Sequence, residues 1–216
     1  MVVRCIHNAI YPCAMAHSIG CRPADDEKDY TPTAEAISLH GLGFIQVKLP
    51  GNQRLHVWHP DLPRRDCYAH SAIHNHRFSF HSTVLVGTQV NRRYHVGAAQ
   101  DGTHDRISHD GPRSPLGGRQ SFVDGRVNVA PLGDETYGPG QSYYMPELQY
   151  HETPNSGIVV TLMQKLSEGT IHASSLITHG VEFHQAFDRL QLGEPDLWRI
   201  VTEALRGAPL EMKVAA

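Results

Sequence analysis

The sequence lacks long apolar runs and an excess of basic charge, and each absence excludes a class of protein. Its 216 residues contain no apolar run of about 18 residues, so a transmembrane helix is not expected. Lys and Arg number 19 against 22 Asp and Glu, a net charge of -3 that offers nucleic acid no basic surface. The composition predicts a globular protein that binds neither nucleic acid nor a membrane.

Cysteine is also scarce. The four cysteines are Cys5, Cys13, Cys21 and Cys67, and they form neither a CxxC pair nor a zinc-finger spacing. The amino-terminal segment is interrupted by polar residues and proline, unlike a signal peptide. Reduced thiols and a cytoplasmic location are therefore expected. The GxSxG, P-loop and HExxH motifs are absent too, which excludes the common hydrolase, nucleotidase and zincin signatures.

The chain length suits one domain, or one domain with terminal additions. Residues 1–30 show no clear hydrophobic period and are expected to form a loosely ordered lead. Residues 31–181 are predicted to form the main domain together with a short helix that precedes its strands. Residues 182–216 are predicted to form a carboxy-terminal helical segment.

Two segments carry helix signals. In "TPTAEAISLHG", Thr31 is a candidate N-cap, Pro32 takes the first helical position and Gly41 is the stop. In "GEPDLWRIVTEALRG", apolar residues recur at helical spacing, namely Leu197, Ile200, Val201, Ala204 and Leu205. The second helix is expected to pack this stripe on the β-structure or, alternatively, on another subunit of a homodimer.

The segments between these helices have the residue composition of β-strands. Short runs such as "GFIQVKLP", "RLHVWHP", "STVLVGTQV" and "GIVVTLMQK" are rich in β-branched and aromatic residues and are separated by turn residues. The polar, turn-rich residues 97–118 are predicted to form a long surface loop or an extended hairpin. Many short strands at such intervals favour a β-sandwich or barrel.

Histidines are concentrated in "IHNHRFSFHSTVLVG", where His74, His76 and His81 fall within eight positions. Side chains on a strand alternate, so His74 and His76 point to the same side. Two readings remain open at this point: two polar residues on one face of a strand, or part of a metal site. A further ligand from another strand would decide for the metal site.

The segment "GPGQSYYMPELQYHETPN" provides such a residue and carries a family resemblance. Gly140, Pro146, His151 and Asn155 stand at the spacing of the second motif of the cupin superfamily, with Leu148 where that family usually has glycine. The first cupin motif is matched by His74 and His76, with His81 in place of glutamate and Gly87 one residue early. The opening glycine is replaced by Tyr68. The resemblance spans residues 43–166.

The resemblance implies an all-β fold, an antiparallel double-sheet jelly-roll barrel with short amino- and carboxy-terminal helices. It also implies that His74, His76 and His151 bind a divalent metal. His81 is a candidate fourth ligand, and the alternatives for it are a hydrogen-bond donor to a ligand or an ordinary polar residue at a strand edge. Imidazole suits several metals, so iron(II) is favoured by the resemblance while zinc, manganese and nickel stay open.

An all-histidine centre is similar to that of cupin thiol dioxygenases and diketone-cleaving dioxygenases. This implies an enzyme acting on a small polar substrate with dioxygen. The Ser-His-Tyr string of the cysteine-specific branch is absent, which argues against that substrate. Two alternatives stay open: a redox-free isomerase, dehydratase or lyase, and a non-catalytic module that binds a small molecule.

Two further residues are candidates for a catalytic role. Tyr144 flanks the second motif and could orient substrate or donate a proton. Arg93 follows the first motif on the return strand, where it could clamp a carboxylate or phosphate. By contrast, Cys67 is expected to be a small buried residue, His56 a surface residue, and His109 a solvent-exposed residue of the long loop.

Overall fold

The computed structural model describes residues 36–113, 119–154, 156–184 and 187–206. Within these ranges it contains eleven strands, a 3-10 turn at Asp66–Ala69 and one α-helix. In chain order the elements are β1 Ile37–His40, β2 Phe44–Leu49, β3 Gln53–Trp58, β4 Phe80–Val86, β5 Gln89–Ala98, β6 His104–Arg113, β7 Arg119–Tyr137, β8 Ser142–Met145, β9 Tyr150–Glu152, β10 Val159–Lys165, β11 Ala173–Thr178 and α1 Glu194–Arg206.

The strands form two antiparallel sheets, as expected for a jelly-roll barrel. The first sheet has the order β1-β2-β3-β10-β4-β8 and the second has the order β11-β6-β7-β5-β9. Strands distant in sequence are neighbours, such as β3 beside β10 and β5 beside β9. The predicted all-β, double-sheet fold class is confirmed.

The two faces of the first sheet differ in composition. One face packs with α1 into the largest apolar cluster, which includes Leu39, Ile45, Leu55, Val160 and Leu197. The alternate residues point the other way and line an internal cavity; among them are Phe44, Gln46, Arg54, His56 and Met163. The main apolar core therefore lies beneath the helix, which leaves the interior between the sheets available to polar side chains.

The predicted amino-terminal helix over residues 31–41 requires a correction. Residues 36–41 belong to the described part of the chain, and Ile37–His40 forms strand β1, paired with β2 from Ile37↔Val47 to His40↔Phe44. Ile37 and Leu39 are buried at the two-residue spacing of a strand. Pairing with β2 therefore prevails over the local helix signals. Residues 31–35, like the predicted lead over 1–30, lie outside the described residues.

The predicted carboxy-terminal helix is present as α1, with Leu197, Val201 and Ala204 buried. Its apolar stripe packs on the first sheet. Of the two packing partners expected for this stripe, the β-structure of the same chain or another subunit, the first is the one observed. Across the described ranges, no helix has both the length and the hydrophobicity required to cross a membrane.

The described part of the polar segment, residues 97–113, includes the end of β5 and all of β6, as expected for an extended hairpin. Strands β6 and β7 pair from His104↔Val127 to Arg113↔Arg119. Strand β6 also pairs with β11, so this hairpin is an integral part of the second sheet. Its residues are therefore placed close to side chains that are far away in the sequence.

Candidate metal centre

His74 connects the two edge strands of the second sheet. It forms β-bridges to His151 in β9 and to Ser175 in β11. The backbone amide of His74 donates to the His151 carbonyl at 2.9 Å, and the His151 amide returns a bond of 2.9 Å. Directly opposed residues of an antiparallel bridge place their side chains on the same face, so His74, His151 and Ser175 project together.

The next residues along this segment place the third imidazole. Asn75 is buried and its side-chain oxygen accepts the Ser174 amide at 2.7 Å, which anchors the segment to β11. The carbonyl of His76 accepts the Leu148 amide at 2.7 Å. Hydrogen bonds to Ser174 and Leu148 therefore fix this segment, and His74 and His76 lie on one side of its backbone, as the alternation in the sequence predicted.

The three imidazoles converge. One nitrogen from each of His74, His76 and His151 lies within 4.8 Å of the other two, and this group could hold a metal ion. Nε2 of His76 and Nε2 of His151 are 3.1 Å apart. Two ligand nitrogens on one ion, each about 2.1 Å from it, are separated by about 3.0–3.4 Å at octahedral to tetrahedral angles. The observed separation fits ligation of a single ion.

Hydrogen bonding orients one ring for this purpose. Nδ1 of His74 lies 2.9 Å from the Ala72 carbonyl, so it carries the proton and leaves Nε2 with a free lone pair. His151 is 4% exposed, and its Nδ1 has no hydrogen-bond partner among the described residues. Since Nε2 of His151 faces Nε2 of His76, this ring would bind a metal through Nε2 and carry its proton on Nδ1.

The surroundings keep all three rings neutral, which is the form that binds metal. Burial lowers the pKa of His74. Burial, followed by repulsion from neighbouring histidines, holds the pKa of His76 well below its ordinary value. Burial again dominates at His151, and repulsion from His74 in its protonated form and from the Arg93 guanidinium lowers its pKa further.

His81 does not join this group. On β4, Phe80 is buried and its neighbour His81 is exposed, because consecutive strand residues point to opposite faces. The His81 ring packs against Tyr144 of β8, with ring centroids 5.2 Å apart. The match to the cupin glutamate position thus gave the correct spacing along the chain, while the register of β4 directs this side chain outward.

Tyr144 and Arg93 are also placed outside the cavity. Tyr144 is 45% exposed on the same outer face as His81. Arg93 stands opposite His151 in the ladder between β5 and β9, yet its guanidinium is held 3.0 Å from the Glu135 carboxylate and donates to the Tyr144 carbonyl at 2.8 Å. Its contribution to the site is its charge, which lowers the pKa of His151.

Two positions of the second motif have the backbone conformation that favours glycine. Gly140 has φ of 83° and Leu148 has φ of 60°. Leu148 stands where cupins usually carry glycine, so the chain keeps the left-handed turn even though the residue differs. Asn155, the last residue of that motif, lies outside the described residues.

His74 and His76 open onto a cavity of about 230 Å³ between the sheets. The His151 ring contacts both of them, with its centroid 4.6 Å from that of His74 and 5.2 Å from that of His76. The wall combines apolar side chains such as Phe44, Phe80 and Met163 with a large set of polar and cationic ones. Cys67, expected to be buried, is 1% exposed, and burial raises the pKa of its thiol.

A hydrogen-bonded chain that the sequence did not predict lies on the cavity wall. The Tyr68 hydroxyl is 3.1 Å from the Ser175 hydroxyl, which is 2.8 Å from Nε2 of His109. Nδ1 of His109 is 2.8 Å from the Ser121 hydroxyl, and that hydroxyl donates to the Arg119 carbonyl. Ser121 must therefore accept from Nδ1–H of His109, which leaves Nε2 of His109 to accept from Ser175.

His56 and His109 line the cavity, contrary to the expectation that they face solvent. Burial and the charge of Arg54 lower the pKa of His56 to about 3. Burial, followed by the charges of Arg65, His74 and Arg189, lowers the pKa of His109 to about 4. The signal in the sequence was the alternation in "RLHVW", where the buried Leu55 and Val57 flank His56 and direct it to the opposite face of the sheet, which lines the cavity.

Searched against models of known protein families, the sequence matches none of them. No curated protein matches it either. Fold and site define the chain as an antiparallel two-sheet β-protein, compatible with a cupin-like jelly roll, that brings three histidines together beside a cavity.

Proposed function

We propose that this protein is a metal-dependent enzyme acting on a small polar substrate, and most specifically a non-haem iron dioxygenase. The observation that carries the proposal is the convergence of three neutral imidazoles at the cavity wall. In the described part of the chain, neither a carboxylate nor a cysteine belongs to that cluster. Three protein ligands leave coordination positions for substrate, whereas a purely structural site is usually closed by four.

His74, His76 and His151 would hold the metal. Bound there, a ferrous ion would supply the redox chemistry needed to activate dioxygen. The protein's own contribution is to fix the ring of His74 through the Ala72 carbonyl and to keep the three rings unprotonated. Phe44, Phe80 and Met163 provide apolar wall that limits the access of water to the reacting groups.

The chain Tyr68–Ser175–His109 would hold and move a proton beside the substrate. Burial raises the pKa of Tyr68 and lowers that of His109, so the phenol is protonated and the imidazole is neutral at neutral pH. Tyr68 donates to Ser175, and Ser175 donates to His109. A proton taken up at the Tyr68 oxygen can therefore be matched by transfer along this chain to Nε2 of His109.

The same chain favours one alternative, a redox-free isomerase, dehydratase or lyase. Such an enzyme needs a group that moves a proton beside a polarised oxygen, and Tyr68 is placed to do so. The two candidates make different demands on dioxygen, which only the first consumes.

Oxygen uptake separates the candidates. Iron-loaded protein would be assayed with small acids, diketones and thiols, alongside His151→Ala and Tyr68→Phe variants. Uptake that depends on substrate and is lost in His151→Ala supports the dioxygenase. Substrate conversion without uptake, lost in Tyr68→Phe while the metal is retained, favours the redox-free enzyme. Binding of small molecules without turnover of any of them contradicts both and favours a binding module.

A further inference from the structure

Two polar side chains on the inner wall of the first sheet, His40 and Gln46, are not among the metal ligands. His40 ends β1 directly opposite Phe44 of β2, and Gln46 lies two residues further along β2. Residues that are opposite each other, or two apart on one strand, share a face, so these three side chains point the same way. All three line the cavity onto which His74 and His76 open.

The His40 ring is held in one tautomer. The Leu42 amide donates to Nδ1 of His40 at 3.3 Å, so Nδ1 is an acceptor. Burial, followed by repulsion from Arg189 and from neighbouring histidines, holds the pKa of His40 well below its ordinary value, so the ring is neutral at neutral pH. A neutral imidazole carries one proton, which therefore resides on Nε2. Nε2 of His40 is a hydrogen-bond donor.

The plane of the His40 ring is fixed as well. The Phe44 ring stacks on it, with ring centroids 4.4 Å apart and planes 12° from parallel. With Nδ1 bonded to the backbone and one face covered by Phe44, the edge that carries Nε2 is left toward the cavity. In the described part of the chain, no residue accepts a hydrogen bond from this nitrogen. The donor is therefore ordered before any ligand arrives.

Gln46 provides a second donor whose orientation is fixed by its neighbour. Nη1 of Arg54 is 3.3 Å from Oε1 of Gln46, and because a guanidinium only donates, the carboxamide must turn its oxygen toward Arg54. Gln46 is buried, and none of the described residues accepts from its amino group. Since its oxygen is engaged, Gln46 offers a ligand its N–H groups.

We infer that His40 and Gln46 bind an oxygen atom of the substrate, and that this substrate is a small carbonyl compound. Both side chains donate hydrogen bonds and have their acceptor atoms engaged by the protein, which a carbonyl or enolate oxygen complements. Phe44, Phe80 and Met163 offer apolar contacts to the rest of such a molecule. This inference deepens the function proposed above and depends on it for the word substrate.

The two donors are within reach of one small molecule beside the metal-binding histidines. His40 and Gln46 are diagonal neighbours of an antiparallel pair, whose backbone positions are about 7–8 Å apart. His74 and His76 line the same cavity of about 230 Å³, and repulsion from both contributes to the low pKa of His40. Donors fixed in advance stabilise negative charge that develops on a substrate oxygen.

Cyclopentanone and cyclopentene test this inference, because they have the same five-membered ring and only the ketone carries an oxygen. Their binding to chelator-treated, metal-free protein would be followed by chemical-shift titration. We expect His40→Phe and Gln46→Met each to weaken ketone binding by about three- to tenfold, the effect of one lost hydrogen bond, and to leave cyclopentene binding unchanged. His81→Phe, at an exposed residue of β4, is the matched control and should alter neither.

A second measurement needs no variant. In protein isotope-labelled at the histidine nitrogens, long-range couplings to the carbon-bound ring protons report which nitrogen carries the proton. We expect His40 to carry its proton on Nε2. We also expect the Nε2 resonance of His40 to shift on addition of cyclopentanone and to stay in place on addition of cyclopentene.

Each contrary result overturns a defined part. A proton on Nδ1 of His40 overturns the assignment of this ring as a donor. Unchanged ketone binding in the folded variants, or equal weakening of ketone and cyclopentene, overturns the oxygen subsite. Absence of ketone binding in protein that still takes up metal overturns this inference alone. Ketone binding that depends on His40 and Gln46, in protein that never takes up metal, overturns instead the proposed metal enzyme.

Discussion

Acidification should destabilise the metal-free protein through its buried histidines, and His109 allows the size of the effect to be worked out. Its pKa is about 4 in the folded state against 6.5 for an exposed histidine. The folded pKa is the lower one, so the unfolded chain binds the extra proton as pH falls from about 6.5 to about 4. The stabilisation by neutral His109 is therefore complete above about pH 6.5 and declines below it, by about 3 kcal/mol in all.

The assay is urea unfolding in the presence of a chelator, repeated from pH 7 to pH 4. A His109→Gln variant keeps hydrogen-bonding capacity but does not titrate, so its free energy of unfolding should depend on pH by up to about 3 kcal/mol less than that of the wild type. A His95→Gln variant, altered at an exposed residue of β5, serves as the matched control. If wild type and His109→Gln lose stability in parallel over this range, the neutral buried state assigned to His109 is contradicted.

Two further predictions concern the scaffold. Gly87→Ala should destabilise the fold by more than about 2 kcal/mol, because φ is 76° and an added Cβ would lie 2.1 Å from the Ile158 carbonyl oxygen. Gly97→Ala is its control, because an added Cβ there meets open space and should not destabilise the fold. Similar midpoints of urea unfolding for the two variants would contradict this reasoning. Leu197→Ala should lower the free energy of unfolding by about 2–5 kcal/mol in urea, because this side chain lies on the buried face of α1 and is 1% exposed. Leu190→Ala, at a residue 47% exposed, is its control. Equal losses in the two variants would contradict the packing of α1 on the first sheet.

Sequence patterns predicted the parts of this molecule that depend on local spacing. The strands in "FIQVKL" and "VVTLMQK" and the helix carrying Leu197 and Val201 lie where the patterns placed them. The relation between His74, His76 and His151 was also predicted, because a two-residue spacing on a strand combined with a motif on another strand leaves little freedom.

The remaining features depend on pairing between distant segments. Residues 37–40 form a strand because β2 provides hydrogen bonds and a covered face, which outweigh a candidate cap and stop. His81 has the right distance along the chain but the wrong parity for the inner face. His109 faces the cavity because β6 lies between β7 and β11, and nothing within its own segment specifies those neighbours.

Metal content is the measurement that tests the central claim most directly. Protein purified without a histidine tag, and reconstituted with iron(II), zinc or manganese, would be analysed by mass spectrometry beside His151→Ala and His81→Ala variants. We predict close to one divalent metal ion per chain in the wild type and in His81→Ala, whose ring is exposed on the outer face, and loss of that ion in folded His151→Ala. Absence of metal from the reconstituted wild type, or equal retention in His151→Ala, would contradict the three-histidine centre.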